Sequence, residues 1–478
     1  MPWPALLSLH ENVQLESQSP DQLILHHPNG ATEFSKLPAA VHAALCRLAE
    51  GDVALETLVD EVAASANVVE IARLYYHVTQ LRPFLLYSLN FDGQRLLTIE
   101  PMAAIEDFAP HPVNENSTFQ LSRFSLCRRD GVQFIAESPL SPYRVRIHDP
   151  LVVSVLSQLT HPSDCGALAD SINGLGTELA LAIVSYLVAA ELVIACDAAN
   201  QLPEDKGVAL RQWEFHDLLF HSRSRIGQHN YPVGASFRFR EELPPLPALK
   251  SPPAGSRIPL QKANINDLRK TDPSLSEVLE QRRSVRAYGD DSITLEQLGC
   301  FLYRVARVRS LQNIDPDQGI YYEQSSRPYP CGGAAYELEF YLTSRTCQGL
   351  PMGIYYYDPL HHELVRVNDE VAQVEALLEH ASVAAARIIV PQVLVTLTSR
   401  FQRLSWKYNA IAYAATLKHV GVLYQTMYLV ATAMGLAPCA LGSGPSKLAT
   451  EAMGLDYVVE SPVGEFMLGS RPQSEGVI

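Results

Sequence analysis

Three adjacent residues, Trp406, Lys407 and Tyr408, place an aromatic ring, an amine and a phenol at the predicted start of a helix. A buried lysine loses its proton more easily than a solvated one, and a phenolate can be stabilised by a neighbouring ammonium group, so either side chain could act as a base. The alternative is a solvated lysine at a helix end beside a tyrosine that only packs. The spacing alone favours this structural alternative.

A second candidate is the stretch "QRRSVRAYG", where Arg282, Arg283 and Arg286 surround Ser284 at a predicted helix end. Guanidinium groups bind phosphate oxygens in a bidentate manner, and a serine hydroxyl adds a neutral contact. Basic residues at a helix C-terminus also simply oppose the helix dipole. The cluster therefore indicates a phosphate site only if other features support it.

Two loops of small residues could approach a flat ligand closely. The first is Pro330, Cys331, Gly332 and Gly333 before a predicted strand, and the second is "GLAPCALGSGPS" after the long predicted helix. Simple turns are the alternative interpretation. Neither loop fits the glycine pattern of a Rossmann dinucleotide site or of a P-loop, so both of those folds are excluded.

The composition narrows the functional classes. The chain has 478 residues, 47% of them hydrophobic and 19% charged, which is typical of a globular protein with several domains. A net charge of −15 argues against nucleic acid as a partner, because phosphate backbones bind to basic surfaces. The apolar run from Leu179 to Ala190 is too short to span a bilayer, and the N-terminus lacks a signal-peptide pattern.

Eight scattered cysteines without a C-x-x-C pair are typical of a reducing compartment, so we predict a cytoplasmic protein with no membrane partner. His216, His221 and His229 do not have the i, i+4 spacing of a helical zinc pair, and we predict no metal site.

The N-terminal part contains a diverged internal repeat of strands, three helices and a strand. In the first copy, a hairpin with a Pro-Asn-Gly turn precedes "AAVHAALCRLAEG" and "ALETLVDEVAA"; the second begins at "FQLSRFSLCRRDGVQFIAESPLSPYRVRI". This order predicts two winged-helix-like units, residues 1–100 and 101–205. DNA binding, support of a dimer and clamping of an extended peptide remain open, although the acidic charge argues against DNA.

Residues 206–264 are predicted to be a Pro-rich linker, with a domain boundary near residue 255. From residue 265 to 478 the pattern becomes α+β. We predict a helix capped by Asp272, a second capped by Thr294, and a long helix from Lys407 to Met434 that stops at Gly435 before Pro438.

Six motifs occur in one order in this domain: "QRRSVRAYG", "RPYPCGGAAYELEFYL", "GIYYYDP", "WKYN", "GLAPCALG" and "LGSRP". The set resembles the SagB/McbC-type azoline dehydrogenases, a branch of the FMN-dependent nitroreductase fold, and is most similar to cyanobactin thiazoline oxidases. The resemblance covers about residues 265 to 478. It implies a C-terminal nitroreductase-like FMN-binding domain preceded by two winged-helix-like, peptide-clamp-type units.

The resemblance also implies roles for single residues. Lys407 and Tyr408 match the catalytic Lys-Tyr pair of the family, so the motifs favour the catalytic interpretation over the structural one. The FMN contacts implied by the motifs are Arg282, Arg283, Ser284, Arg286, Pro330, Cys331, Gly332, Gly333, Ala440, Leu441, Gly442 and Arg471. Cys331 stands where the family usually has serine, so a hydroxyl contact to the flavin is absent there. Because this fold builds its flavin sites between subunits, an obligate homodimer is implied.

The implied reaction is FMN-dependent oxidation of thiazolines or oxazolines to azoles in a ribosomally synthesised peptide, with Lys407 or Tyr408 removing the proton of the ring α-carbon. The implied partners are an azoline-containing precursor peptide and a heterocyclase of the same pathway. Two alternatives remain: an NAD(P)H-dependent nitroreductase or flavin reductase, and a flavin-free scaffold of a peptide-modifying complex.

Overall fold

A computed structural model of the chain describes residues 3–28, 30–65, 67–103, 108–110 and 112–472. The chain divides into two compact units, one ending at Tyr231 and one beginning at Pro232. Each unit has its own hydrophobic core.

The first unit is a mixture of short strands and helices. Its elements are β1 (Leu6–Leu9), β2 (Gln14–Ser19), β3 (Gln22–His27), β4 (Gly30–Phe34), α1 (Ala39–Glu50), β5 (Val53–Ala54), α2 (Leu55–Ser65), α3 (Val68–Leu81), β6 (Leu85–Phe91), β7 (Gln94–Pro101), β8 (Phe119–Leu121), β9 (Leu126–Asp130), β10 (Gln133–Glu137), β11 (Tyr143–Ile147), α4 (Pro150–Gln158), α5 (Cys165–Ser171), α6 (Thr177–Ala189), β12 (Val193–Ala195), α7 (Pro203–Lys206) and α8 (Phe215–Arg223).

The strands of this unit pair antiparallel. A seven-stranded sheet has the order β5-β1-β6-β7-β11-β10-β9, β2 to β4 form a separate three-stranded sheet, and β12 pairs with β8. The order of strands, three helices and strand occurs twice, as the sequence pattern indicates. The assignment of winged-helix units and their boundaries stays a prediction.

The apolar run from Leu179 to Ala190 lies in α6 and its C-cap and contributes to the core of this unit. Asn67, Asp149 and Asp164 cap α3, α4 and α5 by accepting backbone N–H bonds, which explains where those helices begin. Within the described ranges, no helix is both long and apolar enough to cross a bilayer.

The second unit is built on one antiparallel sheet with helices on both faces. Its elements are β13 (Arg257–Pro259), α9 (Ile265–Thr271), α10 (Leu275–Gln281), α11 (Leu295–Ala306), β14 (Ser310–Gln312), β15 (Gln324–Ser326), β16 (Leu338–Ser344), β17 (Gly353–Asp358), β18 (Glu363–Asn368), α12 (Val371–Ala384), β19 (Val393–Arg400), α13 (Gln402–Ser405), α14 (Ala412–Ala433), β20 (Leu436–Leu441), α15 (Ser446–Ala452) and β21 (Glu460–Ser470).

The main sheet of this unit has the order β13-β18-β17-β16-β19-β21-β20. Side chains of β16 alternate between two cores: Phe340 and Leu342 belong to the core that includes α11 and α14, and Tyr341 to the core that includes α12 and α15. The sheet is therefore buried on both faces, and α14 is positioned along one of them.

Two N-cap residues were predicted from the sequence, and one of them differs in the structure. Ser274, not Asp272, caps α10, because Ser274 and Glu277 form a reciprocal capping box, whereas Asp272 ends α9. Thr294 caps α11 as predicted, with Gln297 as its partner.

The long helix begins at Ala412 rather than Lys407. Asn409 pairs with Gly234 through two backbone hydrogen bonds, and Ala410 has a φ of 59°, so the chain cannot be helical there. Lys407 and Tyr408 consequently lie in a loop. The helix ends at Ala433, and Gly435 takes the left-handed conformation with a φ of 66°.

The segment after this helix was predicted as a loop, but Leu436–Leu441 form strand β20. Pro438 is tolerated because β20 lies at the edge of the sheet, where one side of the strand needs no ladder bonds. Ala440 and Leu441 are therefore strand residues, and only Gly442 is in the loop that follows.

Candidate active site

The site residues predicted from sequence form two groups, and each group contacts one side of α14. Lys407, Tyr408 and the double glycine lie around His419. Ser284 and Ala440 lie around Tyr428. Tyr428 follows His419 by nine positions along the helix, which corresponds to about 13.5 Å along the axis and to opposite faces of the helix.

Lys407 is buried, with 9% of its surface exposed. Its Nζ donates a hydrogen bond of 2.7 Å to the hydroxyl of Tyr322 and lies 4.8 Å from the centre of the Tyr322 ring. Burial lowers the pKa of the amine; the neighbouring Cys331 opposes this effect, and the charge of Arg403 adds to it. The environment therefore favours a neutral amine more than water does.

The pKa of Tyr408 shifts in the opposite direction. Burial raises the pKa of its phenol, and the nearby Cys331 and Glu337 raise it further. The centre of its ring lies 5.0 Å from Lys407 Nζ. Burial thus shifts both groups towards their neutral forms, an amine that can accept a proton and a phenol that can donate a hydrogen bond.

The double glycine lies directly against this pair. Gly333 has a φ of 60°, and a Cβ there would collide with Lys407 Nζ and come within 2.8 Å of the hydroxyls of Tyr322 and Tyr408. At Gly332 a Cβ would lie 3.2 Å from His419 Nε2. A side chain at Gly333 would therefore have to displace its neighbours in an unfavourable backbone conformation, and one at Gly332 would be a tight fit. The backbone of this turn lies among four polar side chains.

His419 is hydrogen-bonded to the double-glycine turn. The amide of Gly332 donates to His419 Nε2 at 2.9 Å, and Nδ1 lies 2.7 Å from Oε1 of the fully buried Glu337. Because the amide always carries its hydrogen, Nε2 must be the acceptor and Nδ1 must carry the ring proton of the neutral imidazole. Nδ1 then has no lone pair for a cation.

Cys331 lies beside the same two groups. Its Sγ is 3.4 Å from Glu337 Oε2 and 3.6 Å from His419 Nδ1, and it accepts a hydrogen bond of 3.1 Å from the amide of Tyr336. Burial raises the pKa of the thiol, and Glu337 raises it further, so the thiol keeps its proton. This cysteine is directed towards the interior of the unit.

The turn also contains backbone strain. Ala334 and Tyr336 have φ values of 52° and 45°, a region that costs residues with a side chain about 1–3 kcal/mol each. Arg403 stabilises it by donating to the carbonyl of Ala335 from Nε at 3.0 Å, and the hydroxyl of Tyr336 donates to Tyr329 at 2.8 Å. A strained conformation that is held by buried polar contacts is typical of a functional site.

The second group lies where the segment after α10 runs beside β20. The amide of Val285 donates to the carbonyl of Pro438 at 2.8 Å. Tyr428 accepts a hydrogen bond of 2.8 Å from the amide of Ala440, and its hydroxyl lies 2.6 Å from Ser284 Oγ. If the Tyr428 proton is donated to Ser284, the Ser284 proton is left for an anion.

Two arginines of this segment lie near Tyr428 and β20. The Arg282 guanidinium lies 5.3 Å from the centre of the Tyr428 ring, and Arg286 lies beside Cys439, where its charge opposes the rise in the thiol pKa caused by burial. Two guanidinium groups and a hydroxyl on one short segment form a donor set that fits a phosphate.

Three further residues that were predicted to contact FMN have different surroundings from one another. Arg471 lies near this segment, since the amide of Gly289 donates to Ser470 at 3.2 Å. Leu441 packs in the core, so only its backbone is available to a ligand. A Cβ at Gly442 would meet open space, so none of the described residues requires glycine there.

Sequence reasoning missed Tyr322, Glu337, His419 and Tyr428. Tyr322 and Lys407 are 85 residues apart, and Gly332 and His419 are 87 apart, so no local pattern indicates these contacts. In the described part of the chain, the His/Cys/Asp/Glu groups close enough to hold a cation do not include His216, His221 or His229.

The comparison with protein families now identifies the second unit. Residues 279–470 match the nitroreductase family. They form a nitroreductase-family domain. Residues 119–230, in the first unit, match the family described as cyanobactin oxidase ThcOx.

Similar proteins carry related names. A protein of Methanocaldococcus jannaschii, MJ1384, which is described as a nitroreductase, is 28% identical over 189 residues, covering 40% of this chain and 86% of its own. The trifolitoxin-processing protein TfxB of Rhizobium leguminosarum bv. trifolii is 26% identical over 149 residues, 30% of this chain and 40% of its own. A chain of the Escherichia coli microcin synthetase McbBCD complex with truncated pro-MccB17 bound matches with a TM-score of 0.33 and 18% identity, covering 58% of this chain and 100% of that one.

The two family matches confirm several sequence predictions. The chain is α+β, its C-terminal domain has the nitroreductase fold, and the nitroreductase-family and cyanobactin-oxidase regions make it an oxidoreductase with FMN as the cofactor of the family.

Proposed function

We propose that this protein oxidises thiazolines or oxazolines of a ribosomally synthesised peptide to thiazoles or oxazoles, with FMN as the cofactor. The observation that carries the proposal is the buried amine of Lys407, which lies against a double-glycine turn in a nitroreductase-family domain. An enzyme that only passes electrons between soluble carriers has no need for a base at this position.

The reaction removes two hydrogens from the ring. The ring α-carbon loses a proton, the adjacent ring carbon loses a hydride, and a C=C bond forms between the two carbons. When bound, FMN supplies the hydride acceptor, and oxygen or another oxidant takes the electrons afterwards. Lys407 removes the proton, because burial favours its neutral form, whereas burial disfavours the phenolate of Tyr408.

The remaining residues of the site hold the ligands. Arg282, Ser284 and Arg286 would bind the FMN phosphate and ribityl chain, with Arg283 and Arg471 nearby. Pro330, Gly332 and Gly333 would lie along the flavin, and the backbone of Ala440, Leu441 and Gly442 would approach the ring. Cys331 would lie in the same turn beside the flavin and support the turn through its contact with Glu337.

A homodimer would complete each site. The residues proposed to bind the phosphate and the residues around Lys407 contact opposite faces of α14 in one chain. One flavin would therefore use the phosphate-binding residues of one chain and Lys407 of the second. The exposed apolar side chains of α14 support such a contact; they include Tyr413, Leu417 and Val422, which are 48%, 41% and 38% exposed.

The substrate would be a precursor peptide that already contains azolines, and the partner would be the heterocyclase that forms them. The support comes from the cyanobactin oxidase match of residues 119–230 and from the name of the trifolitoxin-processing relative. We propose that the two winged-helix-like, peptide-clamp-type units predicted in the N-terminal part of the chain bind the peptide.

The test is the mass of a thiazoline peptide incubated in air with the FMN-loaded protein. We expect the loss of two hydrogens for each ring. Lys407→Ala and Tyr408→Phe should abolish or strongly reduce this loss while they retain FMN. Loss of the flavin from both variants would instead make the pair part of the cofactor site and contradict their catalytic role.

An NAD(P)H-dependent nitroreductase is the second candidate, favoured by the name of the Methanocaldococcus relative. In that case NADH would reduce the bound flavin rapidly, a nitroaromatic compound would be consumed, and the thiazoline peptide would keep its mass.

A further inference from the structure

Tyr322 is a buried tyrosine that no sequence motif indicates. It is 3% exposed and packs in a small core with Leu404 and Trp406. Its hydroxyl is bonded on two sides: it accepts a hydrogen bond of 2.7 Å from Lys407 Nζ, and it donates to the carbonyl of Gly333. Tyr322 thus connects the amine to the double-glycine turn.

The donors and acceptors fix the direction of this chain of hydrogen bonds. The Gly333 carbonyl can only accept, so the single proton of the Tyr322 hydroxyl is committed to it. Tyr322 therefore presents an oxygen lone pair to Lys407, and Lys407 supplies the N–H. A neutral amine has two N–H groups and one lone pair, and fixing one N–H restricts where the lone pair points.

The phenol also keeps its proton. Burial raises the pKa of Tyr322 to about 12, with a further contribution from Tyr408. Across the ordinary pH range Tyr322 remains a donor to Gly333, and the direction of the chain does not change.

We propose that Tyr322 is a positioning residue that orients the amine of Lys407 for proton removal and couples it to the double-glycine turn. This inference rests on the proposed function. A lysine side chain has many rotamers in solution, and the Tyr322 contact orders it before the substrate binds. Such preorganisation affects the chemical step more than substrate binding.

The test uses Tyr322→Phe, with Tyr321→Phe as the matched control. The ring of the adjacent Tyr321 packs against Arg240, and no hydrogen bond of its hydroxyl is found among the described residues. In Tyr322→Phe we expect kcat for azoline oxidation to fall about 10- to 100-fold, with KM changed less than about twofold and the FMN content unchanged. Tyr321→Phe should behave like the wild type.

A second readout does not depend on turnover. Trace acetylation of the protein at a series of pH values, followed by mass spectrometry of the peptide that contains Lys407, gives the titration midpoint of this amine. Removal of the Tyr322 acceptor destabilises the ammonium form, so the midpoint should move to lower pH in Tyr322→Phe and stay in place in Tyr321→Phe.

The outcomes are distinct. Wild-type kcat and an unchanged midpoint in Tyr322→Phe would overturn the inference, and so would loss of FMN or of folded protein in this variant alone. If the wild type does not oxidise the azoline at all, the proposed function fails, while the acetylation midpoints still decide whether Tyr322 holds Lys407.

Discussion

Lys407 and Tyr408 are neighbours in sequence, but burial acts on them in opposite directions. It disfavours the charged form of each group, and the charged form is the protonated one for lysine and the deprotonated one for tyrosine. The pKa of Lys407 is therefore lowered and that of Tyr408 raised. The sequence could not distinguish which residue accepts the proton, because burial is a property of the tertiary structure.

This difference predicts the pH dependence of the reaction. The neutral amine is the base, so kcat/KM should fall as the pH decreases through the pKa of Lys407, which is lower than that of an ordinary lysine. Tyr408→Phe should keep this acid limb at a reduced rate, and its disappearance in Tyr408→Phe would assign the limb to the phenol. The measurement is kcat/KM for a thiazoline peptide against pH in both proteins.

The arginines after α10 are expected to retain FMN. Arg286→Ala should weaken FMN retention about tenfold or more, since a charged hydrogen bond to a phosphate contributes roughly 1.5–3 kcal/mol. Arg269→Ala, which removes an arginine of α9 outside the motif, serves as the control. The flavin content after extensive dialysis gives the result. An Arg286→Ala variant that retains all its flavin would exclude the phosphate role.

At the scale of elements, α14 organises the site because it contacts both groups. The motif order on either side of it predicted most of the residues that gather there. The start of the helix was predicted wrongly, since the pairing of Asn409 with Gly234 is a contact over a long sequence distance. The strand at Leu436–Leu441 was missed because Pro438 and small residues are typical of loops. Proline cannot donate a ladder hydrogen bond, but a strand at the edge of a sheet tolerates it.

The link between α14 and β20 can be tested through Tyr428. Tyr428→Phe leaves the Ala440 amide and Ser284 without their partner and should lower the free energy of unfolding by about 1–3 kcal/mol. Tyr457→Phe removes a hydroxyl from a side chain that is 57% exposed and should leave stability unchanged. Urea denaturation of the three proteins provides the comparison, and equal midpoints would show that the Tyr428 contacts contribute little.

At the scale of the whole molecule, the two groups on opposite faces of α14 predict complementation between chains. Lys407→Ala and Arg286→Ala chains should each be impaired alone. In a mixed dimer, one of the two sites would combine intact phosphate-binding residues with an intact Lys407. About half of the dimers formed by co-refolding are mixed, so roughly a quarter of the wild-type activity should return. Activity no higher than the average of the two variants would contradict sites shared between chains.

Glu465 gives a prediction for the stability of the domain. Burial raises its pKa to about 7, above the value of 4.5 for a solvated carboxyl group. The contribution of protonated Glu465 to the free energy of unfolding is therefore fully present below pH 4.5 and is lost as the pH rises through 7. The loss amounts to about 3 kcal/mol. Glu465→Gln should reduce the difference in stability between pH 5 and pH 8, measured by urea unfolding, whereas exposed Glu451→Gln should not. Equal pH dependence in all three proteins would contradict the shift.

In the proposed reaction, electrons pass from an azoline ring to the bound flavin when Lys407 removes the ring proton. The most direct measurement is the flavin absorbance near 450 nm of the FMN-loaded protein after anaerobic mixing with a thiazoline peptide. We expect loss of this absorbance with the formation of about one thiazole per flavin, and no loss in Lys407→Ala. Absorbance that persists with the peptide but disappears with NADH would contradict it and make the protein a reductase.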